Sequence, residues 1–397
     1  MTRPLEGMTV VSVEQAVAAP LASARLRDAG ARVIKVEREE GDFARGYDQA
    51  ARGDSSYFVW LNQGKESVII DFKTHSGAKS LWSLIESADV FIQNLAPGAL
   101  QRAGFGRTEL RTRCPSLIVC EISGYGDSDE MRSMRAYDLL VQAESGLASI
   151  SGGPNEIGRI GVSICDIGAG MTAHAAILEA LIRRQHDGSG AVLSVSLFDV
   201  AAEWMTVPLI HNDYGAGPPT RQGLRHPSIA PYGVYTTGEG IQTLISIQNE
   251  REWQRLCSRV LERGDLAYDP RFIDNNSRVS QREALDDEIQ EILSFLDAAT
   301  FRQRLKDHAI AFGAVNGVPE LSTHSALRRR MAGNTSGQVL PIPDHPVIWQ
   351  DETWRDASQG CSSAPALGNN NIATPDNSAE GPESLISGKG ENTDRDG

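Results

Sequence analysis

The carboxylate best placed for chemistry in this chain is Asp166. The stretch Gly161-Val162-Ser163-Ile164-Cys165-Asp166-Ile167-Gly168-Ala169-Gly170 runs from strand-like apolar residues into that Asp, then into small residues that open a helix over about Gly168–Arg184. A carboxylate at a helix start faces unpaired N–H groups and the positive end of the dipole, which favour its ionised form. Small neighbours leave space for a substrate, and an ionised, partly desolvated carboxylate can act as a nucleophile. On pattern alone, a plain helix cap, a common use of Asp, accounts for the residue more simply.

Other residues admit two readings each. Ser123-Gly124-Tyr125-Gly126 is a glycine-rich turn that could bring a ligand near backbone N–H groups, or be a turn and nothing more. Lys35, Glu37 and Arg38 could bind phosphate or form a solvated charge cluster. Arg135-Ala136-Tyr137-Asp138 suits pocket lining or ordinary surface. A lone histidine such as His226, after Arg225, is more often structural than catalytic. The chain has no G-x-S-x-G, H-E-x-x-H or Walker A pattern, and no G-x-G-x-x-G after its first strand. Gly168-Ala169-Gly170 is only G-x-G, so a dehydrogenase has little support.

The elements around these residues alternate. Strands are expected at Thr9–Val13, Arg32–Val36, Ser67–Asp71, Val90–Ile92, Ser116–Ile122 and Ala191–Leu197. Helices are expected at Leu21–Asp28 and Ser76–Ser87 besides the long one. Alternation of this kind predicts a mostly parallel sheet covered by helices. Gly, Pro and Arg crowd the region from Gly215 to Arg225, as in a linker. Beyond it, a hairpin around Gly238–Gly240 and helices at Glu252–Val260, Ser280–Phe295 and Ala299–His308 predict a smaller second unit. From about Ser358 to Gly397 the chain turns polar, with too few large apolar residues to offset its ordering entropy, and disorder is expected.

The totals exclude several classes. The chain has 397 residues, 40% hydrophobic and 23% charged, with a formal net charge of -14. Its sequence isoelectric point is about 5.1. An acidic protein is no general nucleic-acid binder, although a few local cations suffice for a phosphorylated ligand. No run approaches the roughly 18 to 20 consecutive apolar residues of a membrane span. Met1–Gly7 lacks an apolar segment after a basic start, so no secretory signal is expected. Cys114, Cys120, Cys165, Cys257 and Cys361 are scattered, without a C-x-x-C pair, which speaks against metal binding and a disulfide framework. The expected compartment is the cytoplasm.

Many short segments, in order, resemble the class III coenzyme A transferases, the group of formyl-CoA transferase, carnitine CoA-transferase and the α-methylacyl-CoA racemases. They include Leu5-Glu6-Gly7, Ala18-Ala19-Pro20, Gly30 to Glu37, Leu61-Asn62, Asp71-Phe72-Lys73-Thr74, Asn94, Pro97-Gly98, Ile122 to Gly126, Tyr137 to Ala143, Gly188-Ser189-Gly190 and Ser196 to Asp199. Gly313 to Asn316 and Ala364 to Gly368 match more loosely.

The resemblance implies that Asp166 is the catalytic carboxylate, working through an aspartyl-CoA thioester, with coenzyme A as substrate and product and no permanently bound cofactor or metal. It implies that Gln15, Ala16, Val17 and Ala18 line the coenzyme path. Arg38, Lys73, Asn94, Arg102 and Arg135 match positions near phosphates, adenine or pantetheine, and Tyr137 a pocket residue near the thioester. The implied fold is α/β: a large doubly wound, mostly parallel-sheet domain, a smaller α+β domain and a chain that returns to the first, in an interlocked homodimer. The boundaries expected are 1–200 for the first part of the large CoA-binding domain, 201–228 for a linker and 229–312 for the small domain. The return spans 313–357 and the disordered tail 358–397.

Acyl-CoA and carboxylic acids are the implied partners, without nucleic acid or membrane. Around Arg225-His226-Pro227 the chain is similar to members that use succinyl-CoA and small dicarboxylic or branched acids such as mesaconate or itaconate, with Arg225 pairing with a distal carboxylate. Four departures bear on this. Glu66 stands where the family often has a basic residue. The racemases carry a His in the motif that here reads Ala136-Tyr137-Asp138, so two-base proton exchange lacks a partner. The glycine-rich loop of formyl-CoA transferase is absent, which argues against an oxalate-linked activity. After Gly368 a polar tail replaces a closing helix. The alternatives are therefore a racemase-like isomerase and an inactive CoA-binding homologue.

Overall fold

A computed structural model describes residues 3–127, 130–215, 217–350 and 361–368. Six strands, β1 (Thr9–Val13), β2 (Arg32–Glu37), β3 (Glu66–Ile69), β4 (Val90–Gln93), β5 (Ile118–Ser123) and β6 (Ala191–Ser196), form one sheet in the order β3-β2-β1-β4-β5-β6. Every pair is parallel. A parallel sheet is covered on both faces, so its strands read as continuous apolar runs that the pleat divides alternately. Val10, Val33, Val90, Ile92, Ile118, Cys120 and Ile122 enter one core. Val11, Ile34, Val36, Phe91 and Val119 enter the core on the other face. The α/β fold is as expected.

The long helix, Ile164–Asp187, covers the first face beside helix Ala18–Asp28. By length and composition it could cross a membrane, yet 44% of its apolar window is buried inside the fold, as befits a core helix. A Cβ on Gly168 would collide with the Trp204 ring, and one on Gly170 would lie 2.6 Å from the Ala18 carbonyl oxygen. These small residues serve close helix packing. The expected substrate space beside them is filled.

A second unit holds the antiparallel sheet β7 (Tyr232–Thr236), β8 (Gln242–Ser246) and β9 (Ala311–Ala314). Helices Glu250–Arg255, Arg282–Leu293 and Ala298–Asp307 surround a separate core of Trp253, Phe272, Ile289 and Phe301. The chain then returns to the large sheet's side through β10 (Arg329–Gly333) and β11 (Val339–Pro343). Gln63 Nε2 donates to the Gly333 carbonyl at 2.9 Å, and Thr335 N–H donates to Asp54 at 2.7 Å.

Two sequence expectations need correction. The stretch 201–228 is not all linker: helix Leu197–Trp204 ends within it and helix Thr206–Tyr214 follows. Pro208 sits in that helix's first turn, where the missing N–H is tolerated. The expected disordered tail lies outside the described residues except at Cys361–Gly368. There, β12 (Ser362–Ser363) pairs in parallel with β10, and Ala364 is buried.

Candidate active site

The strand order reverses between β1 and β4, with β2 and β3 laid down on one side and β5 and β6 on the other. In doubly wound sheets, ligands bind in the crevice outside the carboxyl ends of the strands at that switch point. Gln15 follows β1 and Asn94 follows β4. Their contact spans the gap: Gln15 N–H donates to Asn94 Oδ1 at 2.9 Å, and Asn94 Nδ2 donates to the Gln15 carbonyl at 2.8 Å. Ala16 adopts a positive φ of 62°, and Val17 precedes helix Ala18–Asp28 without a side-chain cap.

The expected cations each follow a strand of the parallel sheet: Arg38 after β2, Lys73 after β3, Arg102 after β4 and Arg135 after β5. All four are exposed. Arg38 and Arg102 donate to nearby carbonyls, and Arg38 also lies 3.5 Å from Glu40. Lys35 and Glu37 are not surface phosphate ligands. Lys35 is buried against Asp42 at 2.9 Å, and Glu37 pairs with Arg45 at 2.6 Å. Glu66 begins β3, where it forms an ion pair with Arg32 at 2.7 Å.

Asp166 is the third residue of the long helix, which begins at Ile164 rather than near Gly168. No strand precedes it. Gly161-Val162-Ser163 is an irregular bend, with Val162 half exposed. Nor does Asp166 cap the helix. That task falls to Asp138, whose Oδ1 accepts from Cys165 N–H at 2.8 Å and Asp166 N–H at 3.3 Å. Gln142 steadies the arrangement, donating to Asp138 Oδ2 at 2.7 Å and accepting from Ile160 N–H at 2.9 Å. Among the described residues, none donates a hydrogen bond to the Asp166 carboxyl. Burial, then the charge of Asp138, push its pKa up to about 7.

The glycine-rich turn after β5 is spent on packing, since a Cβ on Gly124 would run into that of Ala136. It thereby seats the segment that delivers Tyr137 and Asp138. Tyr137 is 59% exposed at the start of helix Asp138–Glu144. Tyr47 completes this corner and escaped the sequence reading, because it belongs to no motif. Burial, and then the fields of Asp42, Asp166 and Tyr137, raise its pKa to about 12. Its ring stands edge-on to Tyr57 at 5.6 Å. Arg225 precedes β7, with Nη2 3.2 Å from Asp286 of the second unit.

Beneath the crevice lies a buried charge network. Lys65 Nζ reaches Glu14 Oε1 at 2.7 Å, and Ser12 and Ser23 hydroxyls donate to Glu14 Oε2 at 2.6 Å each. Burial opposes the Glu14 charge, but Lys65 and Lys35 outweigh it and hold its pKa at about 2. Burial lowers Lys65 to about 8 despite Glu14. Among the described residues no cluster of three or more His, Cys, Asp or Glu side chains could hold a metal.

Comparison with known proteins gives the family. The chain is 31% identical to a succinate–glutarate CoA-transferase of Agrobacterium fabrum, over 87% of this chain and 89% of that protein. It is also 31% identical to an acetyl-CoA:oxalate CoA-transferase of Acetobacter aceti, covering 87% and 88%. A CaiB/BaiF family protein from Brucella suis superposes with a TM-score of 0.76 at 29% identity, over 93% of this chain and 97% of that one. The profile of CoA-transferase family III matches residues 5–371. This chain belongs to CoA-transferase family III and is a CoA-transferase.

Proposed function

We propose that the protein moves CoA from succinyl-CoA to a small dicarboxylic or branched acid, with Asp166 as covalent nucleophile. The observation that carries this is the Asp166 carboxyl: partly buried at the start of the long helix, without a protein hydrogen-bond acceptor role, and with its pKa raised to about 7. A carboxylate so poorly solvated is reactive when ionised. An Asp166 oxygen attacks the thioester carbonyl, the C–S bond breaks and CoA thiolate leaves, giving a mixed anhydride. The thiolate then attacks the aspartyl carbonyl, releasing the donor as carboxylate and leaving an aspartyl-CoA thioester. The acceptor carboxylate attacks that thioester and expels the thiolate. The thiolate attacks the new acyl group, restoring Asp166. No proton is gained or lost overall. The oxyanions formed need N–H donors, which the uncapped start of helix Ala18–Asp28 can offer.

Succinate and glutarate in the Agrobacterium relative's name support a dicarboxylic substrate. Arg225, paired with Asp286 through Nη2 alone among the described contacts, keeps part of its guanidinium for a distal carboxylate. Helix Thr206–Tyr214 buries none of its residues and exposes Val207, Ile210 and Tyr214. A homodimer would cover such a face, and light scattering on the purified protein tests it. The reading also places the enzyme in the cytoplasm, which fractionation tests.

The direct test is incubation with succinyl-CoA and other acyl-CoAs, then borohydride and peptide mass analysis. The expected result is a CoA adduct, or its reduction product, on the Asp166 peptide. CoA binding without any modification would sink the nucleophile assignment and favour an inactive binder.

Two further results are expected. kcat/KM should rise with pH along a limb near 7 as Asp166 ionises, and Asp138→Asn, removing the like charge, should move that limb toward acid. A limb unmoved by Asp138→Asn would contradict the electrostatic account. Lys73→Ala and Arg135→Ala should each raise KM for acyl-CoA about 3- to 10-fold, less at high salt, with kcat little changed. A salt-independent effect would show that neither meets phosphate.

A further inference from the structure

Two side chains hold the backbone of the crevice rather than reaching into it. Asn94 clamps Gln15, as described. Asp42 secures the next residue: its Oδ1 accepts from Ala16 N–H at 3.1 Å and from Ala44 N–H at 2.9 Å. Its Oδ2 accepts from Lys35 Nζ at 2.9 Å. Asp42 and Lys35 are both buried, and Lys35 also faces Glu14 at 3.5 Å. Ala16, at φ 62°, occupies the left-handed region, which disfavours any residue with a Cβ. A turn in that conformation needs something to hold it. The same Asp42 starts the short helical turn Phe43–Gly46, which leads directly to Tyr47. One carboxylate therefore sets two walls of the crevice.

We infer that Asp42, braced by Lys35, is a positioning residue for acyl-CoA, locking Ala16 left-handed so that the Gln15–Ala18 turn meets the ligand already arranged. This rests on the reading that the crevice binds acyl-CoA. Preorganisation of this kind shows in affinity, because an unlocked turn must be ordered when the ligand arrives. An Asn at position 42 has one carbonyl oxygen. It cannot accept from both Lys35 and the Ala16 and Ala44 N–H groups, so one buried donor is orphaned.

The test measures CoA binding by calorimetry, with steady-state kinetics and Tm, for the wild type, Asp42→Asn and Asp42→Asn/Ala16→Gly. Asp42→Asn should weaken CoA about ten-fold and lower kcat/KM by a similar factor, with a smaller change in kcat. Ala16→Gly should restore part of the affinity, because glycine enters the left-handed region freely. A merely structural Asp42 would lower Tm, leave the Kd of the folded protein unchanged and give glycine nothing to restore; that result overturns the inference. Should Asp42→Asn fail to fold, Ala16→Val carries the test with the charge network intact. A β-branched residue resists positive φ, so Kd should rise while Tm moves little; an unchanged Kd overturns the inference. A wild type that binds no CoA would instead sink the proposed function.

Discussion

Asp166→Asn should lose CoA transfer by at least about 10³-fold while making the folded protein more stable at pH 8. The first effect follows if Asp166 is the atom donor for both covalent intermediates, as nucleophile removal costs on that scale or more. The second follows from the raised pKa. An unperturbed Asp titrates near 3.8 and this one at about 7 in the fold, so the unfolded chain ionises first. Stability that this carboxyl contributes is complete below about pH 3.8 and lost as pH rises through about 7. Asn never ionises and escapes that loss. Because Asp166 keeps some solvent access, the gain above pH 7 is about 1–3 kcal/mol, read as a Tm rise of a few degrees that vanishes near pH 4. Retained transfer, or a lower Tm at pH 8, would refute the paired expectation.

Glu14→Gln should produce the largest loss of stability, about 3–5 kcal/mol at pH 7, measured as a fall in the chemical denaturation midpoint. Glu14 is the buried carboxylate that faces both Lys65 and Lys35. Removing its charge leaves two ammonium groups in the interior with Asp42 as the nearest remaining buried anion. Replacing Lys65 by Met as well should recover part of the loss, because one unmatched charge goes with it. The pH dependence has the opposite sign to that of Asp166. Glu14 has its pKa lowered from 4.5 to about 2, so its stabilisation is present above about pH 4.5 and lost as pH falls toward about 2. The Gln variant should lack that acid-labile component. A variant as stable as the wild type would show that the network is not held by Glu14.

The fold class is legible in the amino-acid sequence alone. Apolar runs at Thr9–Val13, Arg32–Glu37 and Val90–Gln93 alternate between two cores, a period-two pattern that a parallel sheet requires on both faces. Gln15, Arg38, Lys73, Asn94 and Arg135 match positions of the family that the chain resembles, and each follows a strand of the parallel sheet. Tertiary structure decided what each polar residue does there. Asp138, not Asp166, caps the long helix, because it comes from a different helix, 27 residues away from Cys165 in the chain. Gly168 and Gly170 look like room for a substrate only until Trp204 and Leu21 are packed against them. Lys35 reads as a surface cation but is buried, and Tyr47 reads as an ordinary loop residue but has its pKa raised by burial and by the charges of Asp42 and Asp166. Ser362 and Ser363 lie in a polar stretch whose composition predicts disorder, yet they pair with β10. Periodicity reports which face a residue presents locally; which distant group meets it depends on chain return and packing, and no local pattern encodes that.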